Sequence, residues 1–409
     1  MLEYRTYQKE AIDLAADFFT GKDRTRPVLV EPTGAGKSVM IGGIAKELKD
    51  AVLVLQPSKE LVEQNYRKYQ ELIEAHPEFE PASVWSASVG IKERGAITFA
   101  TIGSICKVPE LFQDVRHIIV DECDTVPPQQ DSFKKSGSFQ KGSQYRKFFS
   151  QLPHARVLGL TATPYRMKTY NDPYTETKYS QINLLNRETP RFFNRFLHIT
   201  QPYEMYEAGY LARIKPLPLE YDAKQLRFNS TGAEYTEESV REFLTRNQIV
   251  DRIPGIVQQA FAKGRRACLV FVQSVAEAEQ LASITPFSGY VCANTPIPER
   301  TRLIEDFKAG NLKTLYNVGT LTVGFDYPAL DTIILARPTM SLRLFVQMIG
   351  RGIRLYPGKD YCAVVDMCGN FDRFGNPENL QLVDDPYHGW VLRNGNKILS
   401  GRRLSEVVS

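Results

Sequence analysis

Residues 30–40 read VEPTGAGKSVM, and the fold follows from what stands on either side of them. Before them the run RPVLV is short, apolar and β-branched; after them VMIGGIAKELK carries apolar residues at helical spacing. A strand, a tight glycine turn and a helix, in that order, open a parallel α/β sheet. Gly34 and Gly36 let the backbone curl so that its N–H groups converge on an anion, and the helix N-terminus adds its dipole. Lys37 can then reach the β- and γ-phosphates of a nucleotide while Ser38 ligates Mg2+. The general phosphate-loop pattern has glycine where this chain has Glu31, which is a departure.

The same alternation continues outward. AVLVLQP, AITFATI, HIIVDE and VLGLTAT follow in the first half, and ACLVFVQ, GYVCAN, TLYNVGT, TIILARP and YCAVVDM in the second, each bounded by turn residues with helical patterns between. Two such series predict an α/β protein with two doubly wound parallel-sheet domains. The break falls in the Pro- and Tyr-rich region of residues 165–215, with EAGYLARIKPLP as the linker candidate. This gives domains at 1–205 and 221–372, a linker at 206–220 and an irregular Gly-, Pro- and Asn-rich tail at 373–409.

The bulk numbers set limits. With 409 residues and 43% hydrophobic content the chain has enough apolar mass for two cores. No run approaches the roughly 18 apolar residues of a membrane span, and the N-terminus lacks a signal-peptide core, so an intracellular protein without a membrane partner is expected. Six scattered cysteines at no metal-like spacing predict buried free thiols. A net charge of +4 does not demand a polyanion, but residues 131–150 concentrate cations. Lys134, Lys135 and Lys141, interleaved with Phe133, Phe139 and Tyr145, suit either a solvated loop or a nucleic-acid contact.

Chemistry-bearing residues fall in order around the loop. HIIVDECD ends an apolar strand with Asp121 and Glu122, which a parallel sheet delivers to the edge where the loop lies. Asp121 can hold Mg2+ and Glu122 can orient and deprotonate a water. VLGLTATPYR supplies Thr161 and Thr163, hydroxyls able to bond neighbouring carboxylates and couple to the γ-phosphate. SLRLFVQMIGRGIR sets Gln347, Arg351 and Arg354 at i, i+4 and i+7, one face of a predicted helix, with arginines suited to charge on a transferring phosphoryl group.

This ordered set resembles the superfamily 2 DEAD/DEAH-like helicases and translocases of bacteria and their phages, a group that includes repair and branch-migration motors. The match begins at YRTYQKEA and runs through PTGAGKS, LQPSKELVEQ, FATIGSI, DECD, LTATPYR, LVFVQS and NVGTLTVGFDYP to QMIGRGIR. The resemblance implies two tandem RecA-like domains with an ATP cleft between them. It implies that Gln8, Thr33, Gly34, Ala35, Gly36, Lys37 and Ser38 bind ATP, with Gly324 and Asp326 contributing from the second domain. Lys37, Asp121, Glu122, Gln347, Arg351 and Arg354 would be catalytic, Ser38 and Asp121 the Mg2+ ligands, and Thr161 and Thr163 the couplers. Pro57, Gln64, Thr101 and Thr320 match positions that hold the nucleic-acid backbone. The implied activity is ATP-driven movement on DNA, single-stranded or branched, in a bacterial or phage-infected cytoplasm, by a monomer or a member of a repair assembly. RNA helicase activity and an ATP-gated subunit of a restriction or repair complex are the alternatives. Asp124 stands where the DEAH group has histidine, and no dedicated wedge for strand separation is evident.

Overall fold

A computed structural model describes residues 2–86, 90–127, 141–321 and 325–408. It divides into two compact units: Met1–Arg166 with Asn183–Thr200, and Met167–Ile182 with Gln201–Ser409.

The first unit is built on one eight-stranded sheet. Its strands are β1 (Pro27–Val30), β2 (Val52–Gln56), β3 (Ala82–Ser86), β4 (Ile91–Lys92), β5 (Ile97–Thr101), β6 (His117–Asp121) and β7 (Arg156–Thr161). The two-stranded β8 (Tyr165–Asn171) and β9 (Lys178–Leu184) intervene before β10 (Arg195–Ile199) closes the set. The order is β10-β1-β7-β6-β2-β5-β3-β4, parallel throughout except for β4 against β3. Central strands are buried along their whole length, which is why their sequences read as continuous apolar runs instead of alternating ones.

The second unit carries a six-stranded all-parallel sheet. It comprises β11 (Arg213–Pro218), β12 (Cys268–Phe271), β13 (Ser288–Val291), β14 (Thr314–Asn317), β15 (Thr332–Leu335) and β16 (Tyr361–Asp366), in the order β11-β16-β15-β12-β14-β13. The antiparallel β17 (Leu380–Asp385), β18 (Gly389–Asn394) and β19 (Lys397–Ile398) form a further small sheet. Both large sheets are the RecA-like α/β architecture anticipated, and all six cysteines are buried and free. Among the described residues no helix is long and apolar enough to cross a membrane.

Four expectations need correction. Residues 213–218, placed in the linker, are the edge strand β11, paired with β16 from Arg213↔Tyr361 to Pro218↔Asp366. Its two prolines are tolerated because an edge strand needs hydrogen bonds on one side only. The tail is not irregular, since it holds a 3-10 turn at Pro377–Asn379, the sheet β17–β19 and the helix Leu404–Val408. Residues 167–182 belong to the second unit, so the first domain is interrupted within 1–205. Finally, Lys141–Gln151 is a helix whose Tyr145, Phe148 and Phe149 are buried, so Tyr145 packs instead of stacking on a nucleotide. Lys134, Lys135, Phe133 and Phe139 lie outside the described residues.

Candidate functional site

β1 ends at Val30, and the chain turns through Pro32, Thr33, Gly34 and Ala35 into the helix Lys37–Leu48. Gly34 and Gly36 have φ of 94° and 83°, a region that costs other residues strain. A Cβ on Gly36 would also stand 2.7 Å from Nε2 of Gln8. Gln8, in the helix Thr6–Thr20, donates from Nε2 to the Ala35 carbonyl at 2.9 Å, and the Tyr7 hydroxyl donates to the same oxygen at 2.9 Å. Its Oε1 accepts from the Arg5 N–H at 3.1 Å. The loop is therefore pinned from beneath by the N-terminal helix.

Glu31 accounts for its own departure from the glycine pattern. Its carboxylate is wholly buried; Oε1 lies 2.8 Å from His198 Nδ1 and Oε2 accepts from the Thr200 hydroxyl at 2.8 Å. Its partners sit on and just beyond β10, the strand beside β1. Burial raises the Glu31 carboxyl above its ordinary range, against the pull of His198. For His198 burial lowers the imidazole, but Glu31 and Glu10 outweigh it and the net direction is up.

At the end of β6, buried Asp121 accepts from Asn65 Nδ2 at 2.9 Å, Gln56 Nε2 at 3.3 Å and the Glu122 N–H at 3.0 Å. Burial pushes it up to about 6, opposed by Lys37. Lys37 Nζ donates to Glu122 Oε1 at 2.9 Å and stands 3.9 Å from Asp121 Oδ1. Burial would lower the ammonium, but the charges of Glu122 and Asp121 outweigh it and hold it above its usual value. Glu122 itself sits at φ 47°, a left-handed backbone held by the surrounding structure. From β7, the Thr161 hydroxyl donates to Asp124 Oδ1 at 2.7 Å and accepts from the Thr163 N–H at 3.0 Å. Thus the non-histidine Asp124 is the carboxylate that the threonine strand engages. Thr163 Oγ1 is buried without a hydrogen-bond partner among the described residues. The oxygens of Ser38, in the first turn of the helix after the loop, and of buried Asp121 are the hard donors that Mg2+ takes.

Pro57, half-buried, directly follows β2; Gln64 is half-buried in the helix Lys59–Ala75; Thr101 ends β5 with its hydroxyl 2.9 Å from Ser104 Oγ. Pro57 and Thr101 stand at the carboxyl ends of β2 and β5, paired through Gln56↔Thr101, the same side of the parallel sheet from which the loop leaves β1.

In the second unit, the Asn317 carboxamide oxygen accepts from the Thr320 and Leu321 N–H groups at 3.2 and 2.8 Å, and the Thr320 hydroxyl donates to the Val318 carbonyl at 3.1 Å. Gly324 lies outside the described residues. Arg354 Nε is 3.4 Å from Asp326 Oδ1, and Arg351 donates to the Phe325 carbonyl at 2.5 Å and to the Gln347 carbonyl at 3.3 Å. The helix Leu342–Ile349 stops at Gly350, so Gln347 is in its last turn while Arg351 and Arg354 are on the turn beyond. Lys359, buried, donates from Nζ to the Pro328 and Arg354 carbonyls at 3.0 and 2.8 Å, tying the turn that carries Arg354 to the segment that carries Asp326. Burial pushes its ammonium down to about 8.

Sequence reasoning missed Tyr7, Asn65, Gln56, Lys359 and the Glu31–His198–Thr200 anchor. Glu31 alone had a signal, as a charged residue in a glycine position.

Comparison with known proteins gives two family matches: the res subunit of type III restriction enzymes over residues 1–166, and the helicase conserved C-terminal domain over residues 250–356. A 51.5 kDa protein of a Lactococcus phage is 27% identical over 377 residues, covering 90% of this chain and 72% of the phage protein. The provisionally named ATP-dependent helicase IRC3 of Saccharomyces cerevisiae is 30% identical over 171 residues, 41% of this chain and 25% of its own length. Among solved structures, the ATP-dependent type ISP restriction-modification enzyme LlaBIII bound to DNA overlays with a TM-score of 0.62 at 16% identity, covering 100% of this chain and 29% of that one. The chain thus spans most of the phage relative but about a quarter of the yeast one.

Proposed function

We propose that the chain is a superfamily 2 helicase of bacterial and phage type, a nucleic-acid-stimulated ATPase that moves on DNA and unwinds or remodels duplexes or branched junctions, a reading supported by the two family matches and the phage relative. The observation that carries the reading is the Lys37 ammonium held 2.9 Å from Glu122 and 3.9 Å from Asp121 above a glycine loop. In this reading the loop amides and Lys37 hold the β- and γ-phosphates, while Gln8 sits where an adenine is read. Mg2+ supplies charge neutralisation between the phosphates, and Ser38 and Asp121 would hold it. Glu122 takes the proton of the attacking water. Lys37 leaves Glu122 when phosphate offers it a stronger partner, which frees that carboxylate to act as base. Asp124, Thr161 and Thr163 sense the γ-phosphate through the short hydroxyl chain described above.

Turnover also draws on the second unit. Arg351 and Arg354 stabilise charge on the transferring group, Arg354 exchanging Asp326 for phosphate, with Gln347, Gly324 and Asp326 in support. Pro57, Gln64, Thr101 and Thr320 contact the nucleic-acid backbone, which gives movement without sequence specificity.

The match of residues 1–166 to a restriction-enzyme motor favours a second reading, in which the same ATPase serves as a subunit of a restriction or repair assembly. One experiment tests the proposal. ATP turnover is measured with single-stranded, duplex, forked and four-way DNA and with matched RNA, using Lys37→Ala as control. Stimulation by DNA exceeding that by RNA, and lost in Lys37→Ala, is expected. Turnover indifferent to every polynucleotide contradicts it.

A further inference from the structure

The sequence Asp-Pro-Tyr occurs twice in the second unit, at residues 172–174 and 385–387, each time at the tip of a two-stranded turn. The two tips share their local chemistry. Asp172 Oδ1 accepts from the Tyr174 and Thr175 N–H groups at 2.8 and 3.1 Å, and Asp385 Oδ1 accepts from the Tyr387 and His388 N–H groups at 2.9 Å each. An aspartate that satisfies two turn amides fixes the backbone of the turn. Both therefore present their tyrosine on an ordered support, 94% exposed at Tyr174 and 92% at Tyr387.

Single exposed aromatics are common and by themselves mean nothing. What separates the two tips is their backing. Behind Tyr174, the rings of Tyr170 and Tyr179 stack at 5.7 Å and 21° across β8 and β9. Lys168 Nζ lies 5.3 Å from the Tyr170 centroid and the Arg403 guanidinium 4.5 Å from that of Tyr179. Arg403 also pairs with Asp172, which locks the tip to the C-terminal segment and uses up the turn's carboxylate. With Asp172 engaged, Glu176 is the remaining acidic residue of the hairpin sequence, against Lys168 and Lys178. The second tip has the reverse balance in sequence, with Asp384 and Asp385 adjacent and Asp385 paired with His388.

We propose that the β8–β9 hairpin is a stacking surface for single-stranded nucleic acid, with Tyr174 the ring that meets the bases and Lys168 and Lys178 drawing the phosphates. A polyanion with open π-faces matches both halves of this surface, the aromatic and the cationic. The proposal rests on the nucleic-acid motor reading and adds to it the element whose absence the sequence suggested, a feature able to interpose between bases. The hairpin begins two residues after Thr163, so the chain runs straight from the coupling threonines into it.

The test measures the oligothymidylate concentration that half-stimulates ATP turnover, and binding of the same labelled strand by fluorescence anisotropy. The proteins are wild type, Tyr174→Ala, Tyr174→Trp and Tyr387→Ala. Tyr174→Ala is expected to raise both values roughly tenfold, within the range for loss of one base–aromatic stack. Tyr174→Trp is expected to hold them near wild type, and Tyr387→Ala to leave them unchanged. On an abasic strand of equal length, Tyr174→Ala and wild type are expected to coincide. Equal values for Tyr174→Ala and wild type on the intact strand, equal losses at the two tips, or the same loss on the abasic strand would each overturn the stacking role while leaving the motor intact. A wild-type protein that neither binds nor responds to any strand overturns the motor reading, and this proposal with it.

Discussion

A carboxylate buried beside a phosphate loop should repel the anion the loop collects, and Glu31 escapes that conflict because both its oxygens are engaged by His198 and Thr200. Removing one partner of such a buried set costs far more than the set contributes net, because the remaining polar atoms are stranded. Glu31→Ala is therefore expected to destabilise the first unit by about 2–4 kcal/mol, and a cycle with Thr200→Val to show coupling of about 1–2 kcal/mol, both measured by urea unfolding. A cycle closing at zero would show that the hydroxyl contributes nothing. Lys359 makes a pH prediction. Its folded value of about 8 lies below the 10.5 of an unperturbed lysine, so between those values the unfolded chain binds a proton that the folded chain does not. Stability then rises with pH from about 8 to 10.5, by up to about 3 kcal/mol at 1.36 kcal/mol per unit. Denaturant midpoints of wild type and Lys359→Met across that range check this; parallel curves would refute it. The loop glycines, Lys37 and the Asp121–Glu122 pair were legible because each motif is local. The Glu31 anchor was not, because its partners lie 167 and 169 residues away.

Among the elements, the turn after Leu342–Ile349 decides where two arginines stand. Gly352 packs so closely that a Cβ there would lie 2.3 Å from Cys362 Sγ, on β16, and 2.9 Å from Ile333, on β15. Gly352→Ala must push the turn off the sheet. Overpacking of this kind costs about 1–3 kcal/mol, and because Arg351 and Arg354 flank the glycine, ATP turnover should fall more than stability does. Thermal unfolding and steady-state turnover measured on one preparation separate the two; intact turnover would mean the arginines do not depend on the turn. The ten strands named from sequence are all present, since each is a short apolar run, and all but the edge strand β13 are buried along nearly their whole length. The strands that were missed lie mostly at edges or in small sheets. ASVWS is only partly buried, RFLHI mixes charge into its pattern, and RIKPLP looks like a linker because its prolines are permitted only where one side needs no partner. Arg351 and Arg354 were assigned to a helix because their spacing fits one, but spacing cannot show that Gly350 has already ended it.

Across the whole molecule, the chain passes between units at residues 166/167, 182/183 and 200/201. Two of these crossings lie close in sequence to the residues around the glycine loop, one three residues after Thr163 and the other at Thr200, whose hydroxyl holds Glu31. Changes at the loop and the threonine strand thus have short covalent routes into the second unit, which is what conversion of hydrolysis into movement requires. If phosphate contacts dominate the grip, the DNA concentration for half-stimulation should climb steeply between low and moderate salt, linear on logarithmic axes. A salt-independent value would argue against a backbone track. On the function proposed above, ATP is cleaved only with side chains from both units and only productively on a polynucleotide. The most direct test is steady-state turnover of wild type and Arg354→Ala, with and without single-stranded DNA, beside a measurement of ATP binding. DNA-stimulated turnover is expected in wild type, and a loss of about 10³-fold in Arg354→Ala, as for other arginines on a transferring phosphate, with ATP still bound. An Arg354→Ala protein that hydrolyses ATP at the wild-type rate, or a wild type unmoved by DNA, would contradict it.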